Sequence, residues 1–253
     1  MNLKDKVIAI TGAAQGLGRA MAEEFAKQGA HIALLDMQED ALKAAVTELT
    51  SYGIKAQYFV LNVADEQQVE NTFKQVAESF GQLNGLINSA GIMRDGMLLK
   101  VKDGKVVDKM SHKQFQSVMD VNVTGTFLCS REAATQMIET ASKGVIINLS
   151  SVSRAGNMGQ TNYSASKAAV ATMTVSWAKE LARYGIRTGC IAPGLAETPM
   201  AAQMRPEFRE MFINSVPLKR LADADELAHA AKFIFENDYF TGRTLELDGG
   251  TRV

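Results

Sequence analysis

The sequence predicts a single α/β domain over residues 1–253: a doubly wound parallel sheet of about seven strands with helices on both faces. Three observations predict it. Short apolar runs alternate with longer segments of helical period along the whole chain. The short runs are apolar throughout, as strands covered on both faces are, and not alternating. No Pro/Ser-rich linker, repeat or low-complexity tract interrupts the pattern.

The elements follow in order. "KVIAIT" (6–11) reads as a buried strand, and "GLGRAMAEEFAKQG" as a helix stopped at Gly29. "HIALLD" (31–36) is the second strand, and "EDALKAAVTELTSYG" a helix stopped at Gly53. "AQYFVLNV", the helix "DEQQVENTFKQVAESFG" and the strand "LNGLINSAG" come next. A long helix, "SHKQFQSVMDVNVTGTFLCSREAATQMIE", precedes the strand "GVIINLSS". The helix "NYSASKAAVATMTVSWAKELARYG" precedes "IRTGCIAPG", and two shorter helices and "TLELDGG" finish the chain. Parallel strands need right-handed crossovers, which the intervening helices supply.

Composition narrows the function. The 253 residues are 46% hydrophobic and 22% charged, enough to bury a large core. A net charge of −1 offers no field to recruit nucleic acid or an anionic membrane. Cys129 and Cys190 lie in apolar runs and read as buried free thiols. His31, His112 and His229 are far apart, and no Cys/His cluster has ligand spacing, so no metal site is expected. The N-terminus runs straight into a strand pattern, and no apolar run is long enough to span a bilayer. A cytoplasmic protein is the expectation.

The first turn carries the first chemistry. In "TGAAQGLG" (11–18), Gly12, Gly16 and Gly18 stand where a backbone turns tightly and approaches a ligand. The amides of the helix that follows then face a pyrophosphate. Asp36 ends the second strand, eighteen residues past Gly18, where a carboxylate accepts both hydroxyls of an adenine ribose. It would repel a 2′-phosphate, and Gln15 offers no cation to hold one. The expectation is NAD(H) in preference to NADP(H).

"NYSASK" (162–167) puts Tyr163 and Lys167 at i and i+4, on one helix face. A phenol titrates near ~10 in water, and a cation held beside it favours the phenolate. The expectation is a tyrosine made into a proton carrier near neutral pH, as alcohol/ketone interconversion requires.

These motifs together resemble the short-chain dehydrogenase/reductase family, in its compact single-domain branch with a Rossmann-type sheet. The glycine loop matches that family's T-G-x-x-x-G-x-G, and Tyr163 and Lys167 its Y-x-x-x-K. "NSAG" (88–91) matches N-N-A-G with Ser89 replacing the second Asn, and "APGLAET" (192–198) matches the P-G loop. The resemblance covers residues 6–250 with four motifs in order. It implies that Ser150, thirteen positions before Tyr163, hydrogen-bonds the substrate oxygen, with adjacent Ser151 as its rival. It implies that Asn122 holds a water linking Lys167 to solvent. It also implies a cofactor surface of Gly12, Gln15, Gly16, Leu17, Gly18, Asp36, Met37, Asn62 and Val63, continued by Asn88, Ala90 and Gly91. Tyr163 and Lys167 meet the nicotinamide side, and Pro193, Gly194, Ala196 and Thr198 cover it.

The overall look resembles β-ketoacyl thioester reductases, which makes the expected substrate a small-molecule carbonyl or alcohol, first a 3-oxoacyl thioester. Another secondary alcohol (hydroxysteroid, alicyclic or aryl) is the alternative, and a non-catalytic NAD(H) sensor the remote one. The family implies a homotetramer or homodimer through the long fourth and fifth helices and the C-terminal strand. Residues 93–110 read as an insertion whose Asp103-Gly104 signals a hairpin, and residues 195–215 as a substrate lid with Met200, Met204, Phe208, Met211 and Phe212.

Overall fold

The computed structural model describes residues 1–202 and 206–251. Nine strands and nine helices are found among them. The strands are β1 (Val7–Thr11), β2 (His31–Asp36), β3 (Ala56–Val60), β4 (Gly85–Asn88), β5 (Leu99–Lys102), β6 (Lys105–Lys109), β7 (Gly144–Leu149), β8 (Ile186–Pro193) and β9 (Arg243–Leu247). The helices are α1 (Gly16–Lys27), α2 (Glu39–Thr50), α3 (Glu66–Phe80), α4 (His112–Met119), α5 (Thr126–Glu139), α6 (Thr161–Leu181), α7 (Pro199–Ala202), α8 (Pro206–Ser215) and α9 (Ala224–Glu236).

Seven strands form one parallel sheet in the order β3-β2-β1-β4-β7-β8-β9. The alternation in β1 shows how both faces are covered. Ile8 and Ile10 join a core with Phe25 of α1, Leu42 of α2 and Phe235 of α9. Val7 and Ala9 join the opposite core with Phe73 of α3 and Leu128 of α5. The order reverses between β1 and β4, which opens a crevice beyond their carboxyl ends. The glycine loop and residues 88–91 both lie there.

The long helix expected at 111–139 is interrupted. Between α4 and α5 it widens to π geometry over Asp120–Gly125, and Asn122 sits buried in that turn. The insertion at 93–110 does contain a hairpin, β5 paired antiparallel with β6. Asp103 and Gly104 both take positive φ (50° and 72°), the condition for a tight two-residue turn of this hand. Among the described residues, no helix is long and apolar enough to cross a membrane.

Candidate active site

The β1–α1 turn is a cradle with no room for a Cβ at Gly12 or Gly18. Gly12 and Gly16 have φ of 64° and 60°. A Cβ on Gly12 would lie 2.8 Å from the Ala90 backbone nitrogen, and one on Gly18 would strike the Gly12 carbonyl oxygen. No side chain caps α1 at Gln15, so its first N–H groups are left to a ligand. The buried Thr11 hydroxyl accepts from the N–H groups of Ser89 and Ala90, each at 3.1 Å. That bond holds residues 88–91 against the glycine loop. Asn88 is fixed further by donating to Ser130 and to Asn148, both at 2.8 Å. This geometry fits a dinucleotide. The cradle, the free helix amides and the wall at Ala90 and Gly91 would hold its pyrophosphate and ribose.

At the outer end of the crevice, both Asp36 oxygens are engaged. One accepts from the Ala14 N–H at 3.2 Å and the other from the Gln38 N–H at 3.1 Å. Met37 beside it is 66% exposed. The Asn62 side chain accepts from the Ala64 N–H at 3.1 Å and closes its own turn, and Val63 packs against Gly125. Leu17 packs on the edge of the first core. On the other side, Gly194 donates to Leu247 at 2.8 Å, Ala196 is buried, and the Thr198 hydroxyl accepts from Ala201 N–H at 3.2 Å and caps α7. In the lid segment Met211 is exposed and Phe212 half-buried. Met204, and the side chains of Met200 and Phe208, lie outside the described residues.

The centre is built on α6. Its first turn places Tyr163, whose N–H donates to Asn162 Oδ1 at 2.8 Å, and its second places Lys167. Lys167 is buried, its Nζ donating to the Leu149 carbonyl at 2.7 Å and lying 5.6 Å from the Tyr163 ring centre. Asn122 Oδ1 accepts from Ile92 N–H at 2.9 Å, while its Nδ2 donates to the Ile92 carbonyl and to Ser166. A Cβ on Gly91 would lie 3.3 Å from Asn122 Oδ1 and 3.5 Å from Lys167 Nζ. The structure thus brings Gly91, Asn122, Tyr163 and Lys167 together.

Two expectations about this centre are corrected. Ser150 does not face the phenol: its hydroxyl donates to the Lys167 carbonyl at 2.7 Å, inside the protein. Ser151 is the serine close enough to Tyr163 to favour its ionised form. It also caps the 3₁₀ turn Val152–Ala155 by accepting from Ser153 N–H at 3.1 Å. Residue counting missed it because the conformation of this turn, and not a fixed spacing, decides which of two adjacent hydroxyls reaches α6. The second correction concerns the phenol itself. Burial pushes Tyr163 up to about 12, with Asp95 pushing the same way and Ser151 opposing. Asp95, within the 93–110 insertion and held by Gln160 Nε2 at 2.9 Å, gave no signal in the sequence.

Burial also lowers Lys167 to about 8. In the unfolded chain a lysine titrates near ~10.4. Between those values the unfolded state binds more protons, so this group's contribution to stability rises with pH. Below about 8 the charged, buried ammonium is a constant cost. Lys167→Met should therefore gain most over wild type near pH 7, with the gap in Tm shrinking from pH 8 to 10. Thermal melts of both proteins across that range check it; a gap independent of pH would mean that Lys167 is not desolvated.

The comparisons with known proteins agree with this geometry. A family model described as enoyl-(acyl carrier protein) reductase matches residues 12–252. The chain is 38% identical over 253 residues to 3-oxoacyl-(acyl-carrier-protein) reductase FabG of Thermotoga maritima, covering 99% of both chains. It is 36% identical over 245 residues to the reductase of the same name from Staphylococcus aureus, covering 95% of this chain and 96% of that one. It is 33% identical over 252 residues to subunit BbsD of (2S)-((R)-hydroxy(phenyl)methyl)succinyl-CoA dehydrogenase from Thauera aromatica, covering 99% and 98%. The chain belongs to the short-chain dehydrogenase/reductase family. It is an oxidoreductase of C=O/CH–OH groups. One expectation is overturned by these matches: they point to NADP(H), not to a preference for NAD(H). Asp36 had carried that expectation; each of its oxygens accepts from a backbone amide, which closes the strand-end turn.

Proposed function

We propose that this chain reduces the 3-oxo group of an acyl thioester to a hydroxyl, with Tyr163 as proton donor and NADP(H) as the nicotinamide cofactor. The single observation that carries this reading is geometric: α6 sets Tyr163 and Lys167 one turn apart on one face, beside Gly91 and Asn122. Burial keeps the phenol protonated at neutral pH, the form that can give a proton to a ketone oxygen. The names of the relatives from Thermotoga maritima and Staphylococcus aureus support the thioester.

A reduced dinucleotide held by the glycine cradle would supply the hydride for the carbonyl carbon. Tyr163 gives its proton to the oxygen, and the Ser151 hydroxyl hydrogen-bonds that oxygen as charge develops. Lys167, mostly an ammonium at pH 7, favours the phenolate left behind and helps return a proton to it. Asn122 fixes the backbone at Ile92, and so the wall at Gly91, and lies beside Lys167 on the path by which a water would reach the lysine. Exposed apolar residues Phe127 and Ile138 of α5 and Val175 of α6 support assembly of a homotetramer or homodimer through these helices.

The test is a paired assay of absorbance at the reduced nicotinamide band with acetoacetyl-CoA, supplying NADPH or NADH in turn. NADPH-linked turnover of the thioester is expected. No turnover of the thioester, alongside turnover of alicyclic or aryl ketones, would move the chain to another secondary alcohol.

A further inference from the structure

The hairpin β5–β6 is unlike the rest of the molecule. All nine of its strand residues are exposed. Two strands alone are marginal in water, so a hairpin whose strand residues are all exposed is incomplete. Its register sorts its faces. Val101 opposite Val106, with Leu99 two residues back opposite Lys109, makes one face mainly apolar. The other carries Lys100 opposite Asp108 and Lys102 opposite Lys105. A bulge between Lys100 and Val101 leaves Val107 as the extra residue, 60% exposed.

The charge of this arm is as distinctive as its exposure. Four lysines (Lys100, Lys102, Lys105, Lys109) stand against two aspartates (Asp103, Asp108), in a chain whose net charge is −1. Lys100 pairs with Asp108 at 2.9 Å. Among the described residues, Lys102, Lys105 and Lys109 have no ion-pair partner. Like charges directly opposite one another destabilise a strand pair. Lys102 against Lys105 is thus a local cost that an anionic partner would remove.

The base of the arm is fastened to the approach to Tyr163. Gly96 N–H donates to the Gly159 carbonyl at 2.8 Å, Gln160 Nε2 to Asp95 at 2.9 Å, and Met110 N–H closes the arm on Leu98 at 3.1 Å. Met158, next in sequence to Gly159 at this junction, is 84% exposed. We propose that the β5–β6 hairpin is a docking arm for an acidic protein that carries the acyl thioester, its lysine row meeting the partner's carboxylates and its apolar face the partner's surface. This deepens the proposed function and rests on its thioester reading. The arm's charge selects the carrier, and its attachment beside residues 157–160 puts a carried thioester within reach of Tyr163.

The experiment compares wild type, K102E/K105E and K102Q/K105Q on acetoacetyl thioester presented on acyl carrier protein and on CoA. Unchanged melting curves verify the fold, which exposed side chains do not determine. KM for the carrier-bound thioester should rise about tenfold in the Glu variant and less in the Gln variant, with kcat for both substrates unchanged. Wild-type KM for the carrier substrate alone should climb with salt. Equal KM effects on the two substrates, or none, overturn the proposal, as does a loss of oligomeric order in light scattering without any carrier effect, which would give the arm to a second copy of this chain. If wild type reduces neither thioester, the proposed function fails by itself. Direct binding of acyl carrier protein to immobilised wild type and K102E/K105E then decides the arm: weaker binding by the variant supports it, and equal or absent binding overturns it.

Discussion

Tyr163→Phe should lower kcat for thioester reduction by about 10²- to 10⁴-fold, the range for losing a positioned general acid. Dinucleotide affinity should stay within about twofold, since no uniform binding contact is removed. The reasoning starts from what the substitution leaves alone. The backbone at this position is held by Asn162 Oδ1, which accepts from the Tyr163 N–H, and by Ser166, which donates to the Tyr163 carbonyl at 2.7 Å. Neither bond involves the phenol. Ser151 keeps its bond from Ser153 N–H, so the serine is not released either. What disappears is one buried O–H whose proton burial keeps in place at neutral pH. The measurement is steady-state kinetics with NADPH, together with a fluorescence titration of the cofactor. Undiminished turnover would remove Tyr163 from the mechanism, and a collapse of cofactor binding would make it a structural residue.

Much of this arrangement was legible in the sequence because it depends on local rules. Buried strands read as apolar runs, glycine marks the turns where a Cβ has no room, and Asp103-Gly104 marks a hairpin by its backbone preference. The i, i+4 pairing of Tyr163 and Lys167 also follows from helix geometry alone. What could not be read depends on the surroundings of a residue and not on its neighbours in sequence. The direction of the Tyr163 shift is set by desolvation, and a helix wheel gives no measure of burial. Asp36 stands where a ribose contact is expected, and a strand end shows only the carboxylate, not the two backbone amides that it also holds. The π turn around Asn122 was hidden in a continuous helical pattern, because a single extra residue per turn leaves the apolar period almost intact.

The serine pair offers the sharper separation of sequence from structure, because one residue decides it. Ser151→Ala should lower kcat by about 10²- to 10³-fold, the loss seen when one donor to a developing oxyanion is removed. Its KM should change little, since the bond strengthens only as charge appears on the oxygen. Ser150→Ala should do the reverse. Its hydroxyl is spent on the Lys167 carbonyl at 2.7 Å in a buried setting, so deletion costs about 0.5–1.5 kcal/mol of stability and leaves kcat within a few-fold. A small kcat effect is still expected there, because that bond joins the end of β7 to the turn of α6 that carries Lys167. Kinetics and thermal melts of both variants read the two effects independently. If Ser150→Ala destroys turnover and Ser151→Ala is benign, the hydroxyl that meets substrate is Ser150, and the 3₁₀ turn at Val152–Ala155 must rearrange when the site fills. If both are benign, the charge on the oxygen is stabilised by the Tyr163 proton alone, and the acid step carries the whole of the barrier reduction assigned here to two groups.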